Sequence, residues 1–327
     1  MTPNPAGAVL AGRRPERLPV APVFGADHAA ARAGVPLRDA MTDGDRLAGV
    51  LLAAHEDYGG DLLVVFSDVT VEAEAMGATV RFSPDLPPHV AEPAGEIRKL
   101  DPERDGRLPV ILRAAALARA ALPPDLPVLV SLKGPFSLAV LALGMDRLLA
   151  LAIEDPPKAR DAVLAAAESQ EAYVAAIVRR GGIPLIGDPF ASGSVLGPGH
   201  FEALALPGLA GLVFAAHRTG SPAAIHICGD LRPVQRLVHR AGADLLHLEQ
   251  ADFAAATAAG SVVLGGVPTD VFLRDEAAVR AAVRAAANTA PPGHRFILGT
   301  ACDLPTRADP ELARAMVDEA RRLPWSP

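Results

Sequence analysis

The chain has 327 residues, half of them hydrophobic, with a formal net charge of −7 and a pI near 5.7. It is long enough for one large α/β domain with a sizeable core. The acidic balance argues against a nucleic-acid-binding surface, and no run of about 18 apolar residues free of charge and proline marks a membrane span. Met1-Thr2-Pro3-Asn4-Pro5 lacks the basic-then-apolar plan of a secretory leader, and a total of two cysteines fits a reducing cytoplasm.

Residues 1–17 are proline-rich and read as a loose N-terminal arm, leaving 18–327 as the folded domain. Leu18 to Phe24 is a first short strand. Asp45 to Tyr58 carries helical spacing at Leu47, Val50, Leu51 and Ala54. Asp61 to Asp68 is a second strand, apolar in its body and polar at its end. Glu72 to Gly77 starts a helical turn, and a proline-rich excursion from Phe82 to Pro102 follows. Val110 to Leu122 is helical, Pro127 to Gly134 is the third strand, and Phe136 to Leu151 is a very apolar helix.

Asp155-Pro156-Pro157 opens a helix, with Asp as cap and Pro in the first turn, that stops at Gly181-Gly182. Ile183 to Pro189 is the fourth strand. Pro198 to His217 is helical with a break expected at Pro207-Gly208. Ala224 to Asp230 is the fifth strand and Asp230 to His239 the next helix, Asp230 serving as its N-cap. Ala243 to Glu249 and Ser261 to Val267 are the sixth and seventh strands. Asp275 to Ala287 is helical, Phe296 to Gly299 is the eighth strand, and Asp309 to Leu323 is the last helix.

Eight strands alternate with helices, and the strands are almost continuously apolar, as parallel strands buried on both faces must be. The pattern predicts a single (β/α)8 TIM barrel. The alternative, a doubly wound open sheet, lacks a Gly-x-Gly-x-x-Gly after an early strand, and Val195-Leu196-Gly197-Pro198-Gly199 is too broken for a phosphate loop. In a barrel the C-terminal strand ends share one mouth. Here those ends are Asp68, Lys133, Asp188, His226 with Cys228, Glu249 and Cys302.

His226 and Cys228 are two apart, so strand alternation points both side chains to one face. An imidazole and a thiol there suit a borderline or soft metal such as zinc. Cys302, the second cysteine, ends another apolar strand and completes a three-ligand set. Inert buried cysteines or a redox pair are the alternative reading. Three protein ligands leave a coordination position open. Asp188, Glu249 and Asp303 are candidates for a fourth, displaceable ligand, and Glu249 also for accepting a hydrogen bond from a zinc-bound histidine. Asp188, Glu249 and Asp68 are the candidate catalytic carboxylates. Lys133 is the candidate cation for a cofactor or an anionic substrate tail. His247 reads as a satisfied structural histidine.

Phe66-Ser67-Asp68-Val69-Thr70-Val71-Glu72-Ala73-Glu74-Ala75-Met76-Gly77-Ala78, Lys133-Gly134-Pro135-Phe136-Ser137, Gly187-Asp188-Pro189-Phe190 and the two cysteine segments together resemble the uroporphyrinogen decarboxylase superfamily from about residue 15 onward. The chain is most similar to its corrinoid-dependent branch, the methylcobalamin:coenzyme M methyltransferases. Their His-x-Cys plus distant Cys zinc motif is matched by His226, Cys228 and Cys302. The resemblance implies a zinc-dependent transfer of a methyl group from a methylated corrinoid, such as methylcobalamin, to a small thiol. No Asp-x-His-x-x-Gly corrinoid motif is present, so the corrinoid would arrive free or on a partner protein. The decarboxylase branch carries an arginine-rich signature for substrate carboxylates. The equivalent Val20-Ala21-Pro22-Val23-Phe24-Gly25-Ala26 has no arginine, although Asp68 matches an aspartate of that branch. Gly265-Gly266-Val267-Pro268 stands where the methyltransferases carry an asparagine.

Overall fold

A computed structural model describes residues 3–83, 86–291 and 295–324; Met1, Thr2 and the last three residues, assigned above to the arm and the domain, lie outside them. Eight parallel strands form a nearly closed barrel. They are β1 (Val20–Ala21), β2 (Leu63–Val65), β3 (Val128–Lys133), β4 (Ile183–Gly187), β5 (Ala224–Asp230), β6 (Leu245–Gln250), β7 (Val262–Val267) and β8 (Phe296–Thr300). Neighbours run β1-β8-β7-β6-β5-β4-β3-β2. The remaining seam is bridged where Asp61 N–H donates to the Val20 carbonyl at 2.8 Å. β1 is short because Pro19 and Pro22 flank it and cannot donate to a ladder.

Strand alternation sorts the apolar residues into two cores. Ala21, Leu62, Val64, Leu129, Leu185, Ala224, Leu245, Leu264 and Ile297 fill the barrel interior. The alternate residues, including Val130, Ile186, Ile225 and Leu246, pack outward under the helices. Site residues share the inward parity. Leu129 is followed on its face by Ser131 and Lys133, Ala224 by His226 and Cys228, and Leu245 by His247. Register places Lys133 beside Gly187, Gly187 beside His226, and His226 beside His247 in one row. Apolar layers thus support a polar layer at the C-terminal end.

Several expectations are corrected. The N-terminal arm is not loose. Pro5–Leu10 is a helix capped by Asn4, whose side chain accepts from Gly7 N–H at 2.9 Å. Ala6 and Val9 plug the interior core. The excursion after Gly77 contains an antiparallel hairpin, Thr79–Arg81 with His89–Glu92. The apolar helix after β3 breaks into Pro135–Leu143 and Met145–Glu154, bent by 111°. Gly144 sits between them at φ 92°, a left-handed conformation that favours glycine. Pro207 does not break its helix. The turn before it, Phe201–Ala205, widens to a π-helix in which Leu206 N–H donates back to the Phe201 carbonyl. That 21-residue helix, Pro198–Arg218, is apolar enough to cross a bilayer, but over half of the apolar window is buried in the protein, as in a core helix. Asp230 caps no helix; it ends β5, and its carboxylate accepts from Arg232 N–H at 3.0 Å and pairs with the Arg232 guanidinium. The next helix is Gln235–Arg240. Phe253–Ala258 is a further helix, capped by Asp252, that periodicity did not reveal.

Candidate metal centre

Three side chains meet at the barrel mouth. His226 Nε2 lies 3.1 Å from Cys228 Sγ and 3.6 Å from Cys302 Sγ, and the two sulfurs are 3.7 Å apart. One donor atom from each lies within 4.8 Å of the others. A tetrahedral zinc with ordinary bond lengths sets sulfur–sulfur spacings of about 3.8 Å and nitrogen–sulfur spacings of about 3.6 Å. Two of the three distances match, and the third is tighter. The donor set, one imidazole and two thiols, is that of a zinc site that keeps one position open.

Local backbone aims these groups. The β5 ladder is irregular between Ile227 and Asp230. There Gly229 adopts φ +79°, and its N–H donates to Glu249 Oε2 at 2.6 Å. The bulge falls at Cys228, which strand parity faces inward, and is held from β6. His226 Nδ1 donates to the His247 carbonyl at 3.1 Å, which leaves the Nε2 lone pair facing the sulfurs. His247 is buried and donates from Nε2 to the Thr300 carbonyl at 2.9 Å, its ring 4.3 Å from that of His226. The hydrogen bond from the Cys302 thiol holds the Cys228 pKa down against the cost of burial, and Cys302 is pushed up in return.

A cavity of about 510 Å³, counting its open mouth, contains this triangle. Its walls include Val23, Val64, Phe66, Val69 and Leu185, and its polar lining includes Ser131, Lys133, His247 and Asp303. Lys133 is 4% exposed, and its ammonium lies 5.3 Å from the Phe66 ring centre. Burial pushes the Asp303 carboxyl up to about 6.

The other expected site residues are placed elsewhere. Asp188 is fully buried, and its carboxylate accepts from Ser137 N–H at 2.8 Å, Ser137 Oγ at 2.5 Å and Phe136 N–H at 3.3 Å. It caps the Pro135–Leu143 helix rather than facing the metal donors. Gly134 makes room for it, since a Cβ there would sit 2.3 Å from Asp188. Asp68 lies under Arg107, which bonds it through Nη1 at 2.5 Å and Nη2 at 3.2 Å; Thr70 and Ser67 fill its remaining acceptor sites. Glu249 does not bond His226; the His247 carbonyl takes that place. Of the three carboxylates considered as a fourth ligand, only Asp303 lines the cavity. Ser131 was not singled out by sequence, although its parity with Lys133 would have found it. Arg107 gave no signal, being 39 positions from Asp68.

The chain belongs to the uroporphyrinogen decarboxylase (URO-D) family, whose model matches residues 2–323. It is 28% identical to a uroporphyrinogen decarboxylase of Anaeromyxobacter sp. over 95% of this chain and 96% of that protein. A methylcobamide:CoM methyltransferase of Methanosarcina barkeri is 25% identical over 74% of each chain. A methylated-thiol–coenzyme M methyltransferase of Methanosarcina mazei is 29% identical over 62% of this chain and 56% of that one. Among solved structures, a methyltransferase from Methanosarcina mazei superposes with a TM-score of 0.87 over 98% of both chains at 21% identity, which establishes the shared fold.

Proposed function

We propose that this barrel is a zinc-dependent enzyme that moves a methyl group from a methylated corrinoid to a small thiol. The observation that carries the reading is the His226–Cys228–Cys302 triangle, two of whose three spacings match one tetrahedral zinc. When bound, zinc supplies a Lewis acid that favours the deprotonated form of an incoming thiol at neutral pH. His226 offers Nε2 because its Nδ1 proton is committed to a carbonyl. Cys228 and Cys302 offer soft sulfur donors that keep a shared sulfur electron-rich. Lys133 faces the substrate's anionic end, and the apolar wall around Phe66 limits water. The thiolate attacks the methyl carbon; the sulfur–carbon bond forms as the cobalt–carbon bond breaks, with the bonding pair leaving on cobalt. A corrinoid macrocycle is larger than the cavity and would have to present its methyl group from the open mouth, delivered free or on a corrinoid protein. Two reduced cysteines held as donors suit the cytoplasm.

The methylcobamide:CoM methyltransferase relatives support this reading, and a decarboxylase relative supports the rival one. A tetrapyrrole with several carboxylates needs several cations. Lys133 is the only lysine or arginine among the described residues lining the cavity, and Asp68 is enclosed by its own ion pair. The test is spectroscopic. Zinc-loaded protein with a thiol should demethylate methylcobalamin, and chelation should stop it. Decarboxylation of uroporphyrinogen at an enzymatic rate, without methyl transfer, would place the chain on the other branch.

A further inference from the structure

We propose that the cavity takes a thiol that is also an α-amino acid, its carboxylate held by Lys133 and Ser131 and its ammonium by Asp303; this rests on the thiol-acceptor reading above. The cavity carries one cation and one anion, neither with a partner of its own. Among the described residues Lys133 has no ion-pair partner, although it is 4% exposed and lines the cavity. The carboxyls nearest to it are committed. Asp188 caps a helix, and Glu72 accepts from Lys133's own backbone N–H at 2.6 Å. Ser131, two residues earlier on the same strand face, lines the cavity with a hydroxyl that has no hydrogen-bond partner among the described residues. Asp303 lines the same cavity, and its carboxylate has neither a hydrogen bond nor an ion pair among those residues. Its acidic neighbour Asp27 accepts from the Thr306 hydroxyl.

The triangle of metal donors lines the same cavity as both charges. Lys133 stands two strands from His226 in the register row, roughly 10 Å along the sheet before the side chains reach inward. Asp303 directly follows Cys302. A ligand with its sulfur at the triangle needs only a few carbons to present one charge to each of the two. A purely anionic thiol would pair Lys133 but approach Asp303 with like charge. A purely cationic one would leave Lys133 unpaired in an apolar cavity, and an uncharged one would leave both, which is costly in each case. A zwitterion satisfies both.

Titration calorimetry on the zinc-loaded full chain separates the terms with three thiols that share two methylenes between the sulfur and the charge-bearing carbon: L-homocysteine, 4-mercaptobutyrate, which lacks the ammonium, and 3-mercaptopropylamine, which lacks the carboxylate. L-homocysteine should bind at least tenfold more tightly than either. Lys133→Gln should weaken the two carboxylate-bearing ligands and spare the amine; Asp303→Asn should weaken the two amine-bearing ligands and spare 4-mercaptobutyrate. If 4-mercaptobutyrate matches L-homocysteine, or if L-homocysteine does not bind, the proposal is overturned on the wild-type protein alone, whatever the variants' folding. Methyl transfer from methylcobalamin is followed in the same samples. The expected binding pattern without transfer upholds this recognition and refutes the methyltransferase reading instead.

Discussion

Cys228 Sγ and Cys302 Sγ stand 3.7 Å apart although 74 positions separate them in the chain. Cys228 lies near the end of β5 and Cys302 just past the end of β8, strands that are not neighbours in the sheet. Only a barrel that curls the sheet brings these ends to a common mouth. The spacing is what a shared zinc requires, so Cys302→Ser, which exchanges a soft donor for a poor one, should lower zinc affinity by more than about 100-fold. Circular dichroism should be unchanged, since the two apolar cores do not involve the triangle. Zinc content by atomic absorption and the far-UV spectrum on one preparation check this; full zinc retention would remove Cys302 from the site.

Glu249 acts through backbone. Its carboxylate accepts from the N–H of Gly229, the residue after Cys228. Glu249→Ala should cost about 10–100-fold in zinc affinity, and Glu249→Gln, whose amide oxygen can still accept, should recover most of it. Competition with a zinc chelator reads both. Equal losses in the two variants would point to charge at the metal rather than positioning.

Much of this was legible in the sequence. The β/α alternation gave the barrel, and the period of two placed His226 with Cys228. The strand-end reading brought Lys133 to the barrel mouth, where it lines the cavity. The carboxylates misled, because a residue at a strand end names a position without naming its partner. Asp188 is spent on Ser137, 51 positions away, and Asp68 on Arg107, 39 positions away. Such pairings depend on how loops return over the barrel, and local periodicity carries no trace of them. The arm failed for a similar reason. Pro5 suits a first helical turn, but Ala6 and Val9 are buried only because the barrel end is there to receive them.

Asp188→Ala separates a cap from a catalytic group. It leaves three donors at the start of the Pro135–Leu143 helix without their acceptor, which costs about 1–3 kcal/mol. Denaturant titration should show that loss while zinc stoichiometry stays the same. Unchanged stability with lost zinc would show that Asp188 serves the metal.

The Asp68–Arg107 pair predicts an acid-sensitive step. Burial alone would push the Asp68 carboxyl up, but hydrogen bonds and charge from Arg107 outweigh it and hold the group below the usual carboxylate range. A depressed folded pKa gives stability that is present above the unfolded value of about 3.9 and is lost as pH falls through the folded one. Wild type should therefore lose stability more steeply below about pH 4 than Asp68→Asn does. Arg107→Met, which strands a buried carboxylate, should cost about 3–5 kcal/mol at neutral pH. Unfolding curves across pH for the three proteins decide this; parallel profiles for wild type and Asp68→Asn would contradict it.

Zinc K-edge X-ray absorption, recorded before and after adding a thiol, tests thiol activation at this site most directly. The expected resting signal is two sulfurs at about 2.3 Å and one imidazole nitrogen at about 2.0–2.1 Å, with a lighter atom in the fourth position. Addition of the thiol should raise the sulfur count from two to three. A shell that already holds four protein ligands and does not change with thiol, or a protein that takes up no zinc, would contradict it.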